Sequence, residues 1–101
     1  MQRLVEQPID EGEVFDNAVR VGPVHYHLAV YHHFSDVEGE SVPVNIEVEG
    51  HITPLDDLDI RAHHRRGSEL TLRLADGRML DFSLTDEAGR IRSTGRGLFN
   101  G

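Results

Sequence analysis

One stretch limits this chain more than any other: Ser68 to Thr94, SELTLRLADGRMLDFSLTDEAGRIRST. Leu70, Leu72 and Leu74 alternate with Glu69, Thr71 and Arg73, and Leu80, Phe82 and Leu84 alternate with Asp81, Ser83 and Thr85. A period of two is the signature of a half-buried strand. A two-residue Asp76-Gly77 loop would set Leu72 against Asp81 on one face, which a buried face does not tolerate. A three-residue loop, Ala75-Asp76-Gly77, sets Leu72 opposite Leu80 and Leu70 opposite Phe82. It also places Gly77 at the left-handed position of a type I turn with a G1 bulge. A second turn, Asp86-Glu87-Ala88-Gly89, has an acidic opener and a glycine closer. It releases Arg90, Ile91 and Arg92 into a third strand.

The rest of the chain repeats this pattern. Gln2–Glu6 reads as a short edge strand or a frayed terminus, broken by Pro8 and Gly12. Glu13–Val21 reads as a strand with a bend at Asp16-Asn17, and Gly22-Pro23 as a turn. Val24–Phe34 puts Val24, Tyr26, Leu28, Val30, His32 and Phe34 on one face. His25, His27, Ala29, Tyr31 and His33 lie on the other. After a polar loop at Ser35–Glu40, Val42, Val44, Ile46, Val48 and Ile52 alternate with polar residues, so these two strands pair as a hairpin. Pro43 has no donor and favours an edge or a strand start. At core parity, His32 reads as a satisfied buried histidine.

One short helix is expected at most, near 54–63. There Thr53 caps, Pro54 takes the first helical position, and Asp56 and Asp57 sit at the positive end. The competing reading is an irregular crossover anchored by Leu58 and Ile60. The sum is an all-β fold, a small antiparallel barrel or sandwich of six to seven strands. At 101 residues it forms a single domain, with loose termini at 1–12 and 95–101.

Charge sharpens the picture. All ten basic residues are arginine. Residues 1–59 hold 2 arginines against 13 acids, a net of −11; residues 60–101 hold 8 arginines against 5 acids, a net of +3. Two readings follow: the halves meet as neighbouring strands and cancel, or opposite faces differ in sign and guide assembly. The total of −8 argues against nonspecific binding to nucleic acid or an anionic membrane. There is no cysteine, hence no disulfide or thiolate site, which points to the cytoplasm. No basic start leads into an apolar run, as a secretory leader would.

Chemistry-bearing residues are few in kind. Seven histidines is a high count for this length. His25 and His27 form an HxH pair that sends two imidazoles to one strand face. The hairpin brings His51 near residue 24 or 25, so His25, His27 and His51 are the candidate ligands for a divalent transition metal. No glutamate follows within residues 28–32, and Gly22 is too close to His25, so the cupin pattern is not met. Arg61, His63, His64, Arg65 and Arg66 form the densest positive cluster, able to hold a phosphate or an acidic partner. With Tyr31 and His33 these are the candidate interaction residues. No nucleophile elbow, P-loop or dinucleotide fingerprint is present. The expected role is therefore a noncatalytic interaction or self-assembly module, a homodimer, with a metal- or ligand-binding barrel as the alternative.

Overall fold

The computed structural model describes residues 2–95 and 97–100. Its elements are β1 (Gln2–Glu6), β2 (Ile9–Asp16), β3 (Val19–Val37), β4 (Glu40–Pro54), α1 (Ile60–Arg66), β5 (Leu70–Arg73), β6 (Arg78–Leu84), β7 (Arg90–Ser93) and β8 (Phe99–Asn100). All strand pairs are antiparallel. The sheet runs β3-β2-β5-β6-β7-β4, and β4 then pairs back onto β3. That last pairing closes a ring of strands, so the molecule is a barrel. β1 and β8 lie outside the ring, on β3 and β6.

The β5–β6 hairpin has the register that the buried-face argument demands. Leu72 faces Leu80, and Leu70 faces Phe82. Gly77 has φ 92° and its N–H donates to the Leu74 carbonyl at 3.0 Å. All four leucine and phenylalanine side chains are at most 1% exposed. In the next turn Asp86 Oδ1 accepts from the N–H groups of Ala88 and Arg90, at 2.9 and 3.0 Å.

Three expectations are corrected. The first hairpin turns at Asn17-Ala18, both at positive φ, and Gly22-Pro23 lies inside β3. Asparagine tolerates the left-handed region, and a two-residue turn of that kind matches strand twist. A Cβ on Gly22 would meet that of Leu58 at 3.7 Å, an ordinary contact, so no close approach demands glycine there. The helix begins later than expected: Thr53 and Pro54 end β4, and Asp59 caps α1 through its bond to the Ala62 N–H at 3.1 Å. The third concerns β3 and β4, which run on to a tight Glu38-Gly39 turn with no separate polar loop.

The core lies inside the ring, with Val14, Val24, Leu28, Val48, Ile52 and Ile91 joining the β5–β6 residues. Leu58 and Ile60 close one end, and Leu98 packs at the core's margin. Tyr26 is buried, and its hydroxyl accepts from the Ala75 N–H at 3.1 Å, tying β3 to the β5–β6 turn.

Closing so small a ring requires sharp bends, and two glycines supply them. A Cβ on Gly50 would lie 2.2 Å from the His27 carbonyl oxygen; one on Gly12 would lie 2.3 Å from that of Arg73. Both contacts are with backbone, which has little freedom to retreat. Gly50→Ala should therefore destabilise the fold by about 2–3 kcal/mol, as overpacking does, whereas Gly95→Ala, with nothing within 4 Å, should be near neutral. Urea unfolding followed by circular dichroism measures the difference.

Candidate functional site

β3 and β4 are longer than the barrel wall needs. Past Val30 they leave it as a hairpin arm, with β1 alongside, and the molecule extends 51 × 27 × 21 Å. Of the residues the sequence singles out, the arm carries Tyr31 and His33; His25, His27 and His51 lie on the barrel wall at its root, and Arg61, His63, His64, Arg65 and Arg66 lie on α1. The arm's outward face continues the barrel exterior, so cross-strand register defines rungs that run from one to the other.

His25 faces Glu11 on β2 and Thr53 on β4. His27 faces Ile9 and His51, and His51 faces Arg90 on β7. Ala29 faces Glu49, which faces Arg92. Tyr31 faces Leu4 and Glu47. Where the sequence puts His51 near residue 24 or 25, its neighbour is His27, because the strands stay paired to the Glu38-Gly39 turn. His51, Arg90, Glu49 and Arg92 line an open hollow of about 550 Å³ whose floor is Gly50. Among the described residues no group of three or more histidines and carboxylates could hold a metal ion. Arg90 beside His51 also places a fixed positive charge next to the imidazole pair, which disfavours a cation.

One register shift decides the face of the distal residues. His33 faces Asn45, but Phe34 faces Pro43 and Ser35 faces Val42. The bulge moves Val42 onto the outward face with Tyr31 and His33, whereas the sequence alternation puts it with Ile46 on the inward one. Val37 shares that outward parity. Leu4, Val37 and Val42 are 45%, 53% and 38% exposed, and bulged Val44 is 60% exposed. His32 is half-exposed in the arm, its ring centroid 6.3 Å from that of Phe34 and tilted 46° to it, and is not the buried core histidine expected.

The arm's long free edge is blunted. The even-numbered residues of β4 above the bulge turn their backbone away from β3. The Ile52 N–H donates to Gly89, the Val48 N–H to Ser93 Oγ and the Ile46 N–H to Asn45 Oδ1. Beyond the bulge the outward position falls on Pro43, which has no N–H. Few donors remain for an added strand, a common defence of edges.

Charge cancels across strands. Arg78 binds Glu6, Arg92 binds Glu47, Arg73 lies 3.7 Å from Glu13 and Arg66 lies 3.8 Å from Asp16. Each pair joins the basic half of the chain to the acidic half: β5 beside β2 and β7 beside β4 bring Arg73 to Glu13 and Arg92 to Glu47, while Arg78 on β6 reaches Glu6 on β1 and Arg66 on α1 reaches Asp16. The basic cluster is α1 itself. His63 is buried, and its Nδ1 accepts from Arg66 Nη2 at 2.8 Å with Asp16 Oδ2 at 3.7 Å. Arg61 lies 3.9 Å from Glu87, and Arg65 Nε donates to the Arg61 carbonyl. His64 Nδ1 is buried without a partner among the described residues. In the Gly95-Arg96-Gly97 segment, Arg96 lies outside the described residues.

Among the described residues the guanidinia of Arg90 and Arg3 make no hydrogen bond or salt bridge; Arg3 lies over the Phe34 ring at 5.6 Å, and Arg90 acts on the Asp86 carboxylate only through space. Tip residues Asp36, Glu38 and Glu40 carry no arginine among them. A second hollow, of about 950 Å³, lies over Phe15 and Met79, but its cation, Arg73, is already stacked 5.8 Å over Phe15.

The fold and site define a class: a closed antiparallel β-barrel with a projecting hairpin arm. No protein-family model matches the chain, and no curated protein or solved structure is significantly similar to it. Among the described residues no helix is long and apolar enough to cross a membrane.

The hydrogen bonds at Glu47 carry a pH consequence. Arg92 first, and then His33 at 3.0 Å, hold its carboxyl below the usual range. A lowered folded-state value means stability that is present above the unfolded value of about 4.3 and lost as pH falls through the folded one. Glu47→Gln should lower the melting temperature at pH 7, where the charged carboxylate contributes, and flatten the drop between about pH 4.5 and pH 3, so that variant and wild type converge at the acid end. Thermal melts across that range test it.

Proposed function

We propose that this protein is a noncatalytic interaction module whose docking surface is the outward face of the β3–β4 arm. The observation that carries the reading is the line of exposed apolar side chains on that face, Leu4, Val42 and Val37, beside half-buried Tyr31. A hairpin that leaves its own barrel contributes less to its core than to a surface. Exposed apolar patches of this sort mark interaction sites more often than accident. With both strand edges short or blunted, a partner meets the face and does not extend the sheet. The cytoplasm is the setting this reading assigns, on the absence of cysteine.

The alternative is a small-ligand or metal site at His27 and His51, with His25 one rung away. Their direct opposition across β3 and β4 favours it; unpaired Arg90 counts against a cation and for an anion.

A photo-crosslinking residue placed at position 42, in the cells that make the protein, tests the main reading. Adducts are expected from position 42 and from position 4, and not from Glu69 on the far side of the barrel. An arm that gives no adduct while the control position does would contradict it.

A further inference from the structure

We infer that the arm's occupant is a second copy of this chain, docked antiparallel, with its acidic tip seated on the rung of His27, His51 and Arg90. This rests on the arm being a docking surface, and adds the partner and the register.

The outward face is polar in sequence along its length. Its tip holds Glu38 and Glu40 beside Val37. Its middle holds Leu4, Tyr31 and Val42. Its root holds the three imidazoles and Arg90. A two-fold axis needs a surface complementary to itself. An axis lying in the interface and crossing the strands near His32 turns this face onto its own reverse. It keeps β3 over β3 and β4 over β4 while exchanging tip and root.

The lengths agree. From Val37 back to His27 is ten residues of β3, about 33 Å at ~3.3 Å per residue. Midway lies His32. With the axis there, Val37 of one copy covers His27 of the other, and Glu40, the partner of Val37 in register, covers His51. Arg90, next to His51 across the sheet, gains a hydrogen-bonded carboxylate where its own chain offers only the through-space attraction of Asp86. Glu38 reaches toward His25. One rung nearer the axis, Glu49 meets Val42 and not another acid. Glu47, already bound by Arg92 and His33, meets Asn45. Glu38 comes near Glu11, the β2 neighbour of His25, while Glu40, Glu49 and Glu47 each meet a residue that is not an acid, even though the chain carries −8.

The imidazole N–H groups act here as donors to carboxylates. That role explains why His25, His27 and His51 share one exposed face without forming a metal cluster. It also explains why the nearest cation, Arg90, is left unpaired in a chain whose other arginines mostly find acids.

The contact is modest. A three-stranded face about 33 Å long and about 14 Å wide covers roughly 460 Å² per copy, below the roughly 800 Å² of a standard interface. Association in the range of about 10–500 µM is expected.

Sedimentation velocity on the purified full chain, from roughly 10 µM to 1 mM, decides the matter. Folding of each variant is checked by circular dichroism. The wild type should dimerise, and less so in high salt. Arg90→Glu alone, and Glu38→Arg with Glu40→Arg, should each weaken association at least tenfold. Mixed together, these two variants should recover a heterodimer, because each supplies the charge the other has lost. A chain that stays monomeric throughout overturns the second copy as occupant, and leaves the crosslinking result to stand or fall by itself. A dimer abolished by Val42→Asp but indifferent to the charge variants overturns the antiparallel register alone. A dimer indifferent to both overturns the register and the docking face together.

Discussion

Everything distinctive in this molecule follows from the pairing of β3 with β4. That pairing does two jobs along one continuous ladder. Between residues 24 and 30 it closes the barrel, since β4 also holds β7 there and β3 also holds β2. Beyond residue 30 it continues with no barrel behind it. The inward side chains of the first part are sealed in a core; those of the second cover little. The same inward parity thus produces buried Leu28 and Ile52 in the wall but exposed Ile46 in the arm.

Two local devices make that ladder work. Gly50 lets the backbone of β4 bend against His27, where any side chain would meet a carbonyl oxygen. The bulge between His33 and Phe34 then shifts the register by one. The first device shapes the enclosed part and the second decides which residues the arm shows to solvent. Charge follows topology: strands rich in arginine are inserted between strands rich in acid, so most cations are met locally. Arg90 and the acidic tip are what this arrangement leaves over, at the two ends of one face.

How much of this is legible in the sequence depends on the range of the signal. Turn chemistry is local, so the Ala75-Asp76-Gly77 loop and its register follow from which pairings keep leucine off aspartate. Asp86 and Gly89 behave in the same way. Gly22-Pro23 misleads because glycine and proline mark turns only where the backbone needs their geometry; here Asn17-Ala18 turns the chain first. The helix start is hidden because Thr53 and Asp59 are both competent caps, and the ladder to β3 claims Thr53. Ring closure pairs β2 with β5 and β4 with β7, contacts distant in sequence that alternation cannot specify. The bulge leaves no trace, since alternation reads equally well on both sides of it. His25, His27 and His51 do share one face, as their spacing implies. The pairing of His51 with His27 and the lone position of Arg90 emerge only from the three-dimensional register.

The register of the β3–β4 ladder is therefore the claim on which the rest stands, and nuclear Overhauser contacts between opposing backbone protons measure it most directly. Contacts are expected to join His27 to His51 in the barrel wall and Ser35 to Val42 in the arm, with β4 also touching Arg90 and Arg92. Contacts pairing Phe34 with Val44, or a β4 that touches no residue of β7, would contradict it.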